Sequence, residues 1–394
     1  MELNRSDNFH SAFPVGMWVW VREGFPDEPV SRRRYALEVF KRIRALGCDL
    51  VVIGAGGSDE RIALMDQAHA AGLHAIISCG DVHTWIRTGT LDGSPVTVDR
   101  VVDPEVEKFS QHPALWMYFI NDIPGPDHIE RLAQATRRFK MLDAVHATYV
   151  PYNYMVVPYW QKARTPAVTW DNFPIVQGAP PGHLVNDSFN VGSSQGQALR
   201  EIAAGPPGAC HITLVQCWGY KEGVARQRIP TLPDLRQQTY LAMANGWTDG
   251  FVLYHYHSRV DPSRGGATRY SVFNLDGSLR IGSEAQLKAF ISKARTMGLA
   301  LAGCSIQEIR GVCLRWPLQG AGFQHGGRRF LLVISHDVIN KCVQEIEVHS
   351  INGRDVGRLV DVVSGESFER HGETLRMTVD HEPADASLYE VFFR

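Results

Sequence analysis

The chain has 394 residues, 44% hydrophobic, 21% charged and 10% aromatic, with a formal net charge of −2. That length implies two or three structural units around more than one core. The near-neutral charge excludes the electrostatic footprint of a nucleic-acid or anionic-membrane binder, and the longest apolar stretches, Leu50–Ala55 and Phe330–Ser335, are too short to span a bilayer.

The first segment, Met1–Pro14, is polar and shows no apolar core with a cleavage site, so cytoplasmic residence is expected. From there to about residue 300, short apolar runs alternate with amphipathic stretches, the pattern of parallel βα units. Eight strands are predicted: Val15–Val21, Asp49–Ala55, His74–Gly80, Leu115–Asn121, Ala144–Pro151, Ala167–Phe173, Ile212–Trp218 and Gly250–Tyr256. Helices are predicted over Ser31–Leu46, with Gly47 just past its end, and over Ser58–Ala71, followed by Gly72. Further helices are Asp127–Leu142, Thr231–Asn245 ending at Gly246, and Ser283–Ala300. Beyond residue 303 the runs Ile309–Arg315, Phe330–Ser335, Val343–His349 and Leu375–Val379 have strand composition with polar turns between them. The expected architecture is a (β/α)₈ barrel over residues 1–302 followed by an antiparallel β-sandwich over 303–394. A doubly wound sheet would carry a Gly-rich phosphate turn after its first strand, and Gly16-Met-Trp-Val-Trp20 is not one.

In such barrels the chemistry sits at the C-terminal strand ends. Those ends supply Trp18 and Trp20, Asp81, Asn121 and Asp122, Asn153, Trp170 and Asp171, Gln216 and Trp218, then His255 and His257. Rings interleaved with carboxylates, amides and imidazoles suit a sugar, whose C–H faces stack on aromatics while its hydroxyls bond polar side chains. Trp18 and Trp20, two apart on a strand, share one face.

At the fourth strand, His112-Pro-Ala-Leu-Trp-Met-Tyr-Phe-Ile-Asn-Asp-Ile-Pro124 resembles the "HPAL…Y…DEP" segment of barrel glycoside hydrolases related to clan A. Asp171-Asn-Phe-Pro174 is similar to the turn after their sixth strand, and Pro230–Gly246 to their helix before strand eight. The likeness spans about residues 14–300. It departs where it matters most: the family's acid/base glutamate corresponds to Ile123, and its nucleophile position falls at Gln216-Cys217-Trp218. The remaining aspartates resemble a second group, the α-galactosidase and α-glucosidase clans. That likeness implies Asp122 as nucleophile and Asp171 as acid/base. Trp170 and Phe173 beside Asp171 would raise its pKa by desolvation.

The expected activity is therefore hydrolysis of an oligosaccharide or glycoside by Asp122 and Asp171. Trp18, Trp20, Asp81, Asn121, Asn153, Gln216, Trp218, His255 and His257 would bind the sugar, and Asp81 is a third candidate for activating water. Two alternatives stand beside it: a non-catalytic glycan-binding barrel, and a sugar-modifying lyase using His255, His257 or Tyr152 as base. His255-Tyr-His257 has metal-ligand spacing but lacks a convergent third ligand, so neither a metal nor another cofactor is expected. No GxSxG elbow or GK[ST] loop occurs. Seven cysteines without CxxC pairs read as reduced thiols. The expected partner is the glycan alone, with neither nucleic acid nor membrane, and a homo-oligomer is left open.

Overall fold

Eight short apolar runs close into one cylinder because each, rich in buried aliphatic side chains, pairs in parallel with the next. The computed structural model describes residues 13–21, 25–54, 57–152, 156–170, 174–177, 210–307 and 309–394. The barrel strands are β1 (Val15–Trp20), β2 (Leu50–Gly54), β3 (His74–Ser78), β4 (Leu115–Phe119), β5 (Ala147–Tyr152), β6 (Ala167–Trp170), β7 (Cys210–Gln216) and β8 (Phe251–Tyr254). They follow chain order around the cylinder, and β8 returns to β1 with Val15 opposite Phe251. The expected barrel is present with every predicted strand at its place. Strand five starts three residues later than predicted because Asp143 accepts from the amides of Val145 (2.9 Å) and His146 (3.0 Å), turning the chain before the sheet begins.

Alternation divides the strand residues between two cores. Trp18, Val52, Ile76, Met117, Phe119, Tyr149, Ala167, Ile212, Leu214 and Val252 fill the barrel. Their neighbours Met17, Val19, Val51, Ile77, Tyr118, Val150 and Val215 face the surrounding helices. Those helices include α1 (Pro29–Ala45), α2 (Ser58–Ala70), α3 (Gly80–Thr88), α4 (Asp99–Phe109), α5 (Ile129–Leu142), α6 (Val156–Ala163), α7 (Leu232–Ala244) and α8 (Glu284–Leu301). Helix α1 begins two residues before the predicted Ser31. Glu28, not Ser31, is its cap and accepts from the amides of Val30 (2.8 Å) and Ser31 (2.6 Å). Helix α8 opens on a reciprocal capping box, with Gln286 N–H donating to Ser283 Oγ at 3.2 Å and Ser283 N–H to Gln286 Oε1 at 2.9 Å. No helix among the described residues is long and apolar enough to cross a membrane.

After α8 the chain forms β9 (Ser305–Gln307), β10 (Leu318–His325), β11 (Arg328–Ser335), β12 (Cys342–Val348), β13 (Arg354–Asp361), β14 (Leu375–His381) and β15 (Ala386–Phe393). The larger antiparallel sheet runs β9-β10-β11-β15-β13, and the smaller one pairs β12 with β14. Within Ile309–Arg315, read as a strand, only Val312–Cys313 pairs, against β12. Leu331, Val333 and Tyr389 point into the core between the two sheets. Phe330, Leu332, Ile334 and Leu388, on the opposite face, join the core of the barrel's outer layer.

Candidate active site at the barrel mouth

The upper end of the barrel interior is aromatic. Trp18 meets Phe119 edge-on at 5.1 Å and Tyr254 at 5.2 Å, while Phe119 meets Tyr149 at 5.9 Å. Trp20 lies above Trp18, centroids 5.7 Å apart, and its indole N–H donates to the Tyr254 hydroxyl at 3.2 Å. The Trp20 ring occupies space that only glycine leaves on β2: a Cβ at Gly54 would sit 2.4 Å from Trp20 Cε3. The predicted tryptophan pair does share one face, with Trp18 fully covered and Trp20 half-exposed.

Above Phe119, and with its inward parity, stands Asn121. It is fully buried, and neither atom of its amide has a hydrogen-bond partner. Such a group costs about 1–3 kcal/mol of stability, and buried polar atoms without partners are rare in native proteins. Asp122 is next, half-buried, and burial pushes its carboxyl above the usual carboxylate range despite the opposing Arg87 charge. By contrast, hydrogen bonds hold the carboxyls of Glu28, Asp261 and Asp276 below their ordinary values. Arg87 Nη2 also donates to the Asp122 carbonyl at 3.1 Å, tying α3 to the end of strand four. His83, on the first turn of α3, presents its ring edge-on to Phe119 at 6.4 Å. Burial, reinforced by Arg87 and His128, lowers it to about 4, so it is neutral at pH 7.

The other expected residues divide. Asp81 is exposed on the first turn of α3, because strand three ends at Ser78 and a helix follows at once. Gln216 points inward but its amide is committed: Oε1 accepts from Ile175 N–H (2.8 Å), and Nε2 donates to the carbonyls of Ile175 (3.1 Å) and Trp218 (3.0 Å). It fastens the chain after strand six to the end of strand seven. Trp218 is half-buried beneath the Arg269 guanidinium, 5.0 Å from its ring centroid. His255 Nε2 accepts from Arg269 Nε at 3.1 Å, and burial together with that cation holds the imidazole well below its ordinary value. His257 has different ring partners, stacked on Tyr35 at 5.9 Å and edge-on to Phe25 at 5.5 Å, with burial and Arg42 lowering it to about 4. Tyr152 shares the outward parity of Val150, and its hydroxyl meets Thr165 Oγ1 at 3.0 Å behind the barrel wall. Asn153 and Asp171 fall outside the described residues. Among the described residues, no three His, Cys, Asp or Glu side chains converge to hold a metal.

Tyr254, at the end of strand eight, and Arg269 are site features outside the expected sugar-binding set. The parity of Tyr254 with Val252 was readable. Arg269 arrives on a two-stranded ribbon, Arg259–Asp261 with Ala267–Arg269, for which the sequence offers no comparable signal.

No family model and no curated protein matches the chain by sequence. Several solved structures share its fold. AmyP in complex with maltose is 12% identical with a TM-score of 0.62, covering 99% of this chain and 98% of that one. A family 5 glycoside hydrolase from Bacteroides vulgatus is 10% identical with a TM-score of 0.61, covering 96% and 89%. The α-amylase of Geobacillus thermoleovorans complexed with acarbose is 10% identical with a TM-score of 0.57, covering 98% and 99%. The barrel and its C-terminal β unit thus form an arrangement found in glycoside hydrolases; at these identities the likeness is one of fold.

Proposed function

We propose, from a barrel with the fold of glycoside hydrolases and an aromatic, amide-bearing mouth, that the protein cleaves a glycosidic bond with Asp122 as general acid. The observation that carries this reading is the pairing of Asp122, a carboxyl raised by burial, with Asn121, a buried amide without a partner. A general acid must hold its proton at working pH and release it to the leaving oxygen, which burial favours. This reverses the role implied by likeness to the α-galactosidase clan, where the strand-four aspartate attacks. Asp171 remains the proposed second carboxylate. Asn121 would bond a sugar hydroxyl, while Trp20 and Tyr254 offer the platform for its apolar face.

Malto-oligosaccharides are the first substrates to test, because structures of this fold hold maltose and acarbose. With a cleaved substrate in hand, Asp122→Asn should lower kcat by about 10²–10⁴-fold, the usual contribution of general acid catalysis. Unchanged turnover would remove Asp122 from the mechanism. Proton NMR of the first-formed anomer then assigns retention or inversion, for carboxyl separations of about 5–5.5 Å or 6.5–9.5 Å respectively.

A second reading, glycan binding without cleavage, is favoured by one observation. Both positions of the clan A glutamate pair are used otherwise: Ile123 is exposed in a left-handed turn (φ 46°), and the Gln216 amide is spent on backbone. Saturable oligosaccharide binding with no release of reducing sugar would establish it.

A further inference from the structure

Away from the barrel mouth, a cleft of about 190 Å³ opens on the larger C-terminal sheet, between β10 and the hairpin entering β13. Its apolar lining includes Ile309 and the buried Ile351 and Val391, while Gln324, Arg329 and Arg354 are its polar, more exposed members. The two arginines gather on one ring. Arg354 Cζ lies 4.0 Å from the Phe393 centroid and Arg329 Cζ lies 5.1 Å from it, so the cations are no more than about 9 Å apart. Carboxylates on the same sheet are engaged by other arginines. Glu390 pairs with Arg328 (2.8 Å), Asp355 with Arg370 (3.5 Å) and Glu369 with Arg358 (3.9 Å). Among the described residues, no carboxylate lies within ion-pair reach of Arg329 or Arg354.

Guanidinium forks match carboxylate geometry, and an apolar floor beside them matches a ring that carries the acid group. A bare anion would use only the arginines, and a neutral sugar only the floor and amides. We propose that this cleft binds a carboxylate-bearing sugar, a uronate, with Arg329 and Arg354 on its carboxylate and the ring over Ile351 and Val391. This is a site on the β unit, separate from cleavage at the barrel mouth.

The test is calorimetric titration of the full chain with glucuronate and galacturonate, set against glucose, acetate and sulfate at equal ionic strength. Uronate should bind saturably, and the other three about tenfold more weakly or worse, since each lacks one half of the recognition. Arg329→Gln with Arg354→Gln should abolish uronate binding while leaving any hydrolysis of neutral substrate unchanged and lowering the thermal midpoint by no more than about 2–4 °C, the loss of two cation–π contacts on Phe393. Acetate or sulfate binding as tightly as uronate would overturn the proposal, reducing the cleft to an anion patch, and so would unaltered uronate binding by the double variant. Uronate binding retained in Asp122→Asn places the ligand away from the mouth. Failure of the glycosidase reading would leave that result standing.

Discussion

Replacing Glu105 by glutamine would keep the shape of a buried side chain and remove its charge. Glu105 on α4 receives both forks of Arg61 on α2, at 2.7 and 2.8 Å, and the two side chains are 5% and 3% exposed. The same guanidinium donates to the carbonyl of Ser78 at the end of strand three (2.5 Å), so the pair fixes the point from which α3, His83 and Arg87 depart. A surface pair would be worth at most about 1 kcal/mol. Here Glu105→Gln leaves the Arg61 charge in a dry interior without its counter-ion, and the expected loss is about 3–5 kcal/mol. Replacing both residues by methionine removes the charge problem altogether and should return stability to within about 1–2 kcal/mol of the parent. Urea denaturation of the parent, Glu105→Gln, the single variants Glu105→Met and Arg61→Met, and the double methionine variant, compared at constant m, reads this out. A Glu105→Gln cost below about 1 kcal/mol, or a double variant no better than the singles, would refute the buried-pair argument.

Asp143 yields a pH dependence. Burial alone would raise its carboxyl, but bonds from His146 (2.7 Å) and Tyr118 (2.8 Å) prevail and hold it at about 2. The depressed value means stability present above the unfolded pKa and lost as pH falls toward 2; Asp143→Asn should cost about 2 kcal/mol at neutral pH, a gap that closes across that window in acid titrations. Gly54→Ala should push Trp20 off its seat, destabilise the fold by about 1–3 kcal/mol and weaken oligosaccharide affinity, seen by calorimetry beside melting. Asn121→Leu should raise stability by about 1–2 kcal/mol while abolishing sugar binding; a loss of stability would show that the amide is structural. If Asp122 is the acid, activity falls as pH rises through its elevated pKa, and that alkaline limb disappears from the residual rate of Asp122→Asn.

The strands were legible because each is a run of apolar residues closed by a turn or cap, a local signal. Helix α3 was not, since Gly80-Asp-Val-His-Thr-Trp85 follows strand three without a linker and mixes polar with aromatic residues. The site was half-legible. Strand-end chemistry pointed to Trp18, Trp20, Asn121 and Asp122 without revealing direction past the last paired residue; extending the two-residue alternation would have sent Tyr152 outward with Val150 and kept Asn121 inward with Phe119. The commitment of Gln216 to Ile175, 41 positions earlier, depends on a contact no local pattern encodes. The same holds for Arg269 reaching back 14 residues to His255.

The larger C-terminal sheet has both of its faces occupied, one by the smaller sheet and one by the barrel's outer layer. Lys293 and Asp385 (2.7 Å) and Arg236 to the Pro383 carbonyl (3.3 Å) fasten that junction at its rim. The β unit is therefore a poor subject for truncation or module exchange. Cutting after α8 would bare the side of α7 that packs on β10 and β11 on one fragment and Phe323, Phe330 and Leu332 on the other, and each stump would need a new cover before it stayed in solution.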